Sequence, residues 1–175
     1  MGRDGRASGR TGGRGCGTRV TLANLFQLYT HDFSEHWAGH PEGGLGEDGR
    51  FEPYPFLDSY WTEADRSALL IRADGQVAGF ALVNTFAHSR LATDFSMAEF
   101  FVARKYRRLG VGHAAAAAVI CERPGQWEIA VTRTNLAAQA FWRRVVATTE
   151  GVETYDRADT RWDGLILRFV QETGH

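Results

Sequence analysis

The sequence has little cysteine, no excess of basic residues overall and no long apolar run. Its two cysteines, Cys16 and Cys121, stand far apart and fit neither a disulfide framework nor the spacing of zinc ligands. The alanine run at 114–118 is far too short to span a bilayer. These shortages argue against a disulfide-stapled secreted domain, a zinc module and a membrane protein. We therefore expect a cytoplasmic protein with no membrane partner.

Charge is nearly balanced overall but unevenly placed. The net charge is −1, yet residues 1–19 hold five arginines and one aspartate, a local charge of +4 that leaves −5 for the rest. Residues 2–17 are rich in glycine and arginine and have almost no apolar side chains, which predicts a disordered tail over residues 1–19. A basic tail can bind RNA or DNA, but this one lacks aromatic residues for base stacking. Nucleic acid is therefore not the expected partner.

The rest of the chain, residues 20–171, has the composition of one folded domain. Helical spacing of apolar residues begins after Thr21, a plausible N-cap, and Asp74-Gly75 separates two strands of a predicted hairpin. The further expected elements are a short helix at 56–61, hairpin strands at 68–72 and 77–85, a strand at 97–103, a helix from Gly110 to Cys121, a strand at 127–131, a helix at 136–146 capped by Asn135, and a closing strand at 161–170. This order predicts a mixed α/β fold with helices packed on a central sheet.

The most informative segment joins a buried-looking strand to a strong helix. There RRLGVG, residues 107–112, fits an R-x-x-G-x-G pattern. Main-chain amides at a helix N-terminus are unpaired, and glycines let an anion approach them without a Cβ in the way. Arg107 and Arg108 add fixed positive charge with several donors each. The segment therefore predicts a phosphate-binding cradle, although a helix start with glycines for close packing gives the same letters.

A dinucleotide fingerprint is a second alternative, because Gly110-x-Gly112-x-x-Ala115 matches its spacing. In that fold the first glycine follows its strand directly, whereas here six residues separate Ala103 from Gly110. The acid expected about 20 residues later would be Glu128, which stands at the start of its strand rather than at the end. The dinucleotide interpretation is therefore weaker than the cradle.

Two linked segments resemble the GNAT superfamily of N-acetyltransferases. EFFVARKYRRLGVGHA resembles the family's strand–Q/R-x-x-G-x-G/A–helix motif. WEIAVTRTNLAAQAFWRRVV resembles its next motif, with Asn135 at the end of a strand, Ala138 three residues on, and the aromatic pair Phe141-Trp142. The similarity covers residues 20–170 in element order, and within the superfamily the chain is most similar to a small bacterial group of predicted acetyltransferases.

The resemblance implies a fold and a mode of binding. The fold is a central mixed sheet with splayed strands, often with a bulge, and helices on both faces; acetyl-CoA is the co-substrate and no metal is needed. The main chain at Phe101 and Val102 would pair with the pantetheine arm, and Asn135 and Phe141 would lie beside the thioester. The pyrophosphate would be held by Arg107, Arg108, Leu109, Gly110, Val111, Gly112 and His113.

The chain departs from the family pattern at two places. Family members usually begin with a strand before the first helix, but residues 2–17 cannot plausibly form one, so the first strand is doubtful. The aromatic pair usually ends in a tyrosine that can protonate the leaving thiolate, and Trp142 stands there instead. An indole cannot act as that acid.

We expect direct transfer of an acetyl group from acetyl-CoA to the primary amine of a small molecule. Glu99 is the candidate base that removes the amine proton, although it would also suit the solvated edge of a strand. A non-catalytic module that binds or senses acyl-CoA is the competing function. The sequence leaves open whether two copies form a homodimer. Weaker candidates for the acceptor pocket are Tyr29, His31, Asp32, Tyr60 and Asn84.

Overall fold

The computed structural model describes residues 16–39, 43–149, 152–155 and 162–172. Its helices are α1 (Cys16–Phe33), α2 (Ser59–Thr62), α3 (Val111–Cys121) and α4 (Leu136–Thr148), with short 3₁₀ turns at Ser34–Trp37 and Arg104–Tyr106. Its strands are β1 (Ser67–Ala73), β2 (Gln76–Asn84), β3 (Phe95–Val102), β4 (Gly125–Thr132), β5 (Val152–Tyr155) and β6 (Gly164–Gln171). Within this part of the chain the strands form one mixed sheet in the order β1-β2-β3-β4-β6-β5. The predicted mixed α/β fold is confirmed.

The β1–β2 hairpin forms as the sequence predicts. Asp74 and Gly75 both have positive φ, 50° and 78°, the combination that a two-residue turn between twisted antiparallel strands requires. Ala73 pairs with Gln76 across this turn. A local rule in the sequence therefore determines the register of the first two strands.

The sheet opens between β3 and β4. These parallel strands pair only at Phe95–Trp127 and Ser96–Glu128, after which they part. On its other side β3 pairs with β2, but the register slips so that Ala98 has no partner there and forms a bulge. The splayed and bulged strands implied by the family resemblance are therefore present, and the gap between them becomes the candidate site.

Helices cover both faces of the sheet. On one face α1 and α2 pack on β1–β3, with Leu22, Phe26 and Phe80 nearly inaccessible. On the other face α3 and α4 pack on β3, β4 and β6, around a core that includes Trp127 and Phe169. None of the helices in the described ranges combines the length and apolar composition that crossing a bilayer requires.

Several element bounds differ from the sequence prediction. Helix α1 begins at Cys16, so Thr21 is not its N-cap; the Thr21 hydroxyl lies inside the helix and donates to the Gly17 carbonyl at 2.9 Å. The last residues of the predicted tail are thus helical, and its first fifteen lie outside the described residues. Strand β5 was not predicted, since its four residues carry little pattern. The described residues begin with α1, so the doubtful first strand falls outside them.

A buried ionic cluster holds the point at which β3 and β4 part. Glu128 is completely buried, and its carboxylate accepts hydrogen bonds from the hydroxyl and main-chain amide of Ser89. Arg168 of β6 donates to Glu128 at 3.2 Å, to Ser89 Oγ at 2.6 Å and to the Ala92 carbonyl at 2.8 Å. The cluster ties the β2–β3 loop to β4 and β6, at the end of the strands where β3 and β4 are still paired.

We predict that Arg168→Met destabilises the protein by roughly 3–5 kcal/mol, because it leaves the carboxylate of Glu128 buried without a counter-charge. The double variant Glu128→Leu/Arg168→Met should recover most of the loss, since it removes both charges. Urea unfolding followed by circular dichroism measures both effects. A loss below about 1 kcal/mol in the single variant would show that this pairing is not needed.

Candidate functional site

A cavity of about 890 Å³ occupies the gap between β3 and β4. Its sheet wall consists of residues Met97 to Phe100 of β3 and Ile129 to Thr132 of β4. Helix α1 and the loop that follows it close one side, and the start of α4 closes the other. The volume falls in the range typical of small-molecule sites. The parting of two strands therefore creates a pocket that reaches through the sheet.

Glu99 lies just after the bulge, with its carboxylate facing this cavity. Tyr29 of α1 donates its hydroxyl hydrogen to Glu99 Oε2 at 2.5 Å. Burial raises the pKa of Glu99 to about 7, and hydrogen bonds from Tyr29 and Tyr54 act against that rise. Burial and the neighbouring Glu99 raise the pKa of Tyr29 well above its usual value, so the phenol keeps its proton. Glu99 therefore titrates near neutral pH, as a general base should.

Asp32 lies beside the predicted cradle instead of in the cavity. Its carboxylate forms ion pairs with Arg107 and Arg104, the latter at 2.8 Å. Burial alone would raise the pKa of Asp32, but hydrogen bonds from Arg107 and Arg104 lower it below its usual value. Arg107 Nε also donates to the Val102 carbonyl at 2.7 Å. Asp32, which was predicted to line the acceptor pocket, therefore holds Arg107, which was predicted to bind phosphate. The Val102 carbonyl, which was predicted to pair with the pantetheine arm, accepts a hydrogen bond from Arg107.

The R-x-x-G-x-G segment has the conformation of an anion cradle. Arg108 and Gly110 have positive φ, 63° and 81°, and Gly110 is the N-cap of α3 with no side-chain hydrogen bond to it. The first intrahelical bond runs from the Ala114 amide to the Gly110 carbonyl at 3.0 Å. The amides of residues 111–113 precede it and have no partner within the helix. Leu109 is mostly exposed, and the positive end of the helix dipole is open to a ligand.

Gly112 and His113 of the cradle lie against α4 and the end of β3. A Cβ at Gly112 would lie 3.4 Å from Val102 Cγ2 and 3.6 Å from Phe141 Cε2, which are ordinary contacts. The His113 ring is 2.7 Å from Thr148 Oγ1 and so joins α3 to α4. In this structure the Nε2 atom of His113 is therefore engaged by α4, and its main-chain amide lies at the start of α3.

The predicted thioester end is aromatic. The Phe100 ring lies 5.8 Å from that of Phe141 and 5.1 Å from that of Trp142. Phe141 also neighbours Gly112, so one side chain connects the cradle to the cavity. Asn135 lines the cavity and caps α4, accepting from the Ala138 amide at 3.0 Å as predicted. The buried hydroxyl of Thr132, also in the lining, has no hydrogen-bond partner among the described residues.

Only one of the weaker pocket candidates, Tyr29, lines the cavity. His31 is exposed, and Asn84 donates to the Tyr60 hydroxyl at 3.3 Å in a buried pair away from the lining. Sequence reasoning missed most of the lining outside the sheet, including Trp37, Tyr54, His88 and Trp162. Trp37 ends the short 3₁₀ turn after α1, and the other three lie in irregular segments, so none of the four belongs to a periodic helix or strand. The only available signal was the density of aromatic residues in the loop after α1.

Comparisons with known proteins agree with this geometry. A family model described as Acetyltransferase (GNAT) family matches residues 22–146. Comparison with curated proteins gives no significant match. The chain is similar in fold to a GNAT acetyltransferase of Streptococcus agalactiae, with 13% identity, coverage of 97% of this chain and 96% of that one, and a TM-score of 0.63.

Two further solved structures contain the acyl donor. One is a GNAT phosphinothricin acetyltransferase of Sinorhizobium meliloti in complex with acetyl-CoA, with 12% identity, coverage of 96% and 90%, and a TM-score of 0.57. The other is a putative acetyltransferase of Salmonella typhimurium with acetyl-CoA, with 14% identity, coverage of 97% and 96%, and a TM-score of 0.56. At these identities the likeness shows a shared fold.

The cradle can be tested with two substitutions at one position. Gly112→Asp should abolish the rise in melting temperature that acetyl-CoA gives, because it places a negative charge at the proposed phosphate site. Gly112→Ala should fold and keep most of the rise, since its Cβ meets only ordinary contacts. Differential scanning fluorimetry with and without acetyl-CoA measures both. An unchanged ligand shift in Gly112→Asp would exclude the cradle.

Proposed function

Because the chain belongs to the GNAT family of acetyltransferases, we propose that it transfers the acetyl group of acetyl-CoA directly to a primary amine. The observation that carries the proposal is the carboxylate of Glu99, which faces the cavity between the parted strands and is held by Tyr29. A primary amine is protonated at neutral pH and must lose a proton before it can attack. A carboxylate with a pKa of about 7 suits that step.

The donor would occupy the opposite side of the gap. The free amides at the start of α3 and the guanidinium of Arg108 would hold the pyrophosphate. The ring of Phe141 leads from Gly112 to Phe100, so the pantetheine arm would follow this wall into the cavity. Arg107 Nε donates a hydrogen bond to the Val102 carbonyl, and we expect this hydrogen bond to rearrange when the pantetheine arm pairs with the edge of β3.

In the proposed reaction Glu99 takes one proton from the ammonium group of the acceptor. The free amine nitrogen then forms a bond to the thioester carbonyl carbon, the C–S bond breaks, and the CoA thiolate leaves and takes the second proton from nitrogen. The products are the N-acetyl amide and free CoA.

The tryptophan at position 142 does not oppose this chemistry. A thiol has an ordinary pKa near ~8.5, so the leaving thiolate needs little assistance from an acid. Trp142 is buried and packs against Phe100 and Phe141, which gives it a shaping role beside the thioester end. Loss of the usual tyrosine is therefore compatible with turnover.

Glu99→Gln should lower turnover by roughly 10²–10⁴, because the amide keeps the shape of the side chain and loses its basicity. In the unmodified protein the rate should fall as the pH drops through about 7, since the carboxylate is then protonated. Tyr29→Phe removes a hydrogen bond that lowers the pKa of Glu99, so it should move this limb of the profile to higher pH. Release of free thiol across pH 5.5–9 measures all three.

The exposed Glu122 provides a matched control, because Glu122→Gln makes the same change far from the cavity and should leave turnover within about threefold. A similarly small loss in Glu99→Gln would contradict the role of Glu99. Binding of acetyl-CoA with no thiol release on any amine would favour the competing function, a non-catalytic acyl-CoA module.

Substitutions of Trp142 should separate packing from chemistry. Trp142→Phe should keep most activity, whereas Trp142→Ala should destabilise the protein by roughly 3–5 kcal/mol because it empties a buried site. Denaturant unfolding and thiol-release assays at matched folded fraction measure the two effects. A hundredfold loss of turnover in Trp142→Phe would show a direct catalytic role for the indole N–H.

A further inference from the structure

The side of the cavity formed by α1 and the loops is built from rings, a feature that the proposed function does not use. Phe26 stacks on Tyr54 with ring centroids 4.6 Å apart and an interplanar angle of 18°. Phe33 meets Trp37 edge to face at 4.9 Å. The rings that line this side are Phe26, Tyr29, Phe33, Trp37, Phe51, Tyr54 and Trp162. Because the rings of Phe26, Tyr29, Phe33, Trp37 and Tyr54 pack on one another, this part of the wall is already shaped before a ligand enters.

The charge of the lining is negative. Among the described lining residues the acids are Glu99 and Glu52, and there is no lysine or arginine. His88 also lines the cavity; burial lowers its pKa, with the nearby Glu128 acting in the opposite direction, so the ring is neutral at pH 7. A cationic amine is therefore attracted to this cavity, and the described lining holds no cation with which a ligand carboxylate could pair.

The rings and the carboxylate are adjacent. Tyr29 donates a hydrogen bond to Glu99. Its ring centroid lies 5.7 Å from that of Phe26 and 5.7 Å from that of Phe33. An ammonium group at Glu99 would thus lie beside the rings of Tyr29 and Phe33, whereas Phe26 is already stacked on both Tyr54 and Phe80. The carbon body beyond it would be surrounded by the remaining rings, where a flat aromatic group makes offset-stacked or edge-to-face contacts.

We propose that the acceptor is an arylalkylamine: a primary amine on a short alkyl chain attached to a flat aromatic ring, with no carboxylate beside the amine. The inference rests on the proposed function and adds the chemical class of its substrate. The reaction is the acetyl transfer written above, with the arylalkylamine supplying the nitrogen and both protons. Flexible polyamines carry several ammonium groups, and each of these would need a carboxylate partner. Aromatic rings supply no such partner, so this wall suits polyamines less well.

The test compares acceptors that differ in one feature each. With acetyl-CoA saturating, kcat/KM is measured for 2-phenylethylamine, for phenylalanine, which adds only a carboxylate, for butylamine, which lacks the ring, and for spermidine. We expect 2-phenylethylamine to exceed butylamine and spermidine at least tenfold and phenylalanine at least a hundredfold. Equal or better use of butylamine, spermidine or phenylalanine would overturn the inference and leave acetyl transfer to amines standing.

Variants then assign the preference to the ring wall. Trp37→Ala should raise KM for 2-phenylethylamine at least tenfold and change kcat/KM for butylamine less than threefold, and Trp37→Phe should restore most of the affinity. Leu28→Ala, an exposed position on α1 outside the lining, is the control and should behave as the unmodified protein. A Trp37→Ala effect that is equal for both amines would overturn the role of the wall.

Failure of the proposed function has a different signature. If acetyl-CoA raises the melting temperature and no amine in the panel yields free thiol, acetyl transfer to amines is overturned, and the arylalkylamine inference falls with it. Turnover of any panel amine keeps the proposed function, and the order of the amines alone then decides the substrate class.

Discussion

The structure depends on the parting of two parallel strands. β3 and β4 share two residue pairs and then diverge, which leaves main-chain groups along both edges that only a ligand, water or a side chain can satisfy. Such an opening in the middle of a sheet requires compensation at its closed end. The buried Glu128, clamped by Arg168 and Ser89, lies at the last shared pair. The gap between the strands, the cavity in it and the position of Glu99 all follow from this geometry.

Helix α1 connects the two halves of the site. Tyr29 and Asp32 are three residues apart and therefore lie on the same helical face. The first holds Glu99, and the second holds Arg107 and Arg104 beside the cradle. A single helix thus positions both the candidate base and the loop that would bind the donor. This coupling gives a physical reason for Asp32 near the end of α1, which the sequence analysis named only as a weaker candidate for the acceptor pocket.

Burial gives the site its chemistry. The rings that narrow the cavity also remove water from Glu99, and this desolvation raises the pKa of its carboxylate toward neutrality. The same wall has no basic side chain among its described residues, so only the hydrogen bonds from Tyr29 and Tyr54 act against this rise. Aromatic packing therefore accounts for both the basicity of Glu99 and the selectivity proposed for the acceptor.

Local patterns in the sequence determined much of this fold. The Asp74-Gly75 turn, the Gly110 start of α3 and the Asn135 cap of α4 are correct because each depends on the conformation of a few adjacent residues. The start of α1 was predicted wrongly at Thr21 and strand β5 was not predicted, since neither carries a strong local pattern. Within the candidate site, the loop at 107–113 and Glu99 could be named from the sequence, and their motifs are contiguous.

Only the tertiary structure decided which side chains meet across the cavity. In the structure Asp32 pairs with Arg107, and Tyr60 and Asn84 lie outside the cavity lining. Residues from irregular segments line the cavity instead, namely Tyr54, His88 and Trp162. These contacts join residues far apart in the chain, and loops carry no periodicity from which their direction can be derived. The sequence by itself therefore determined the elements and the donor-binding motif, while the packing of α1 and the loops on a parted sheet determined the acceptor side.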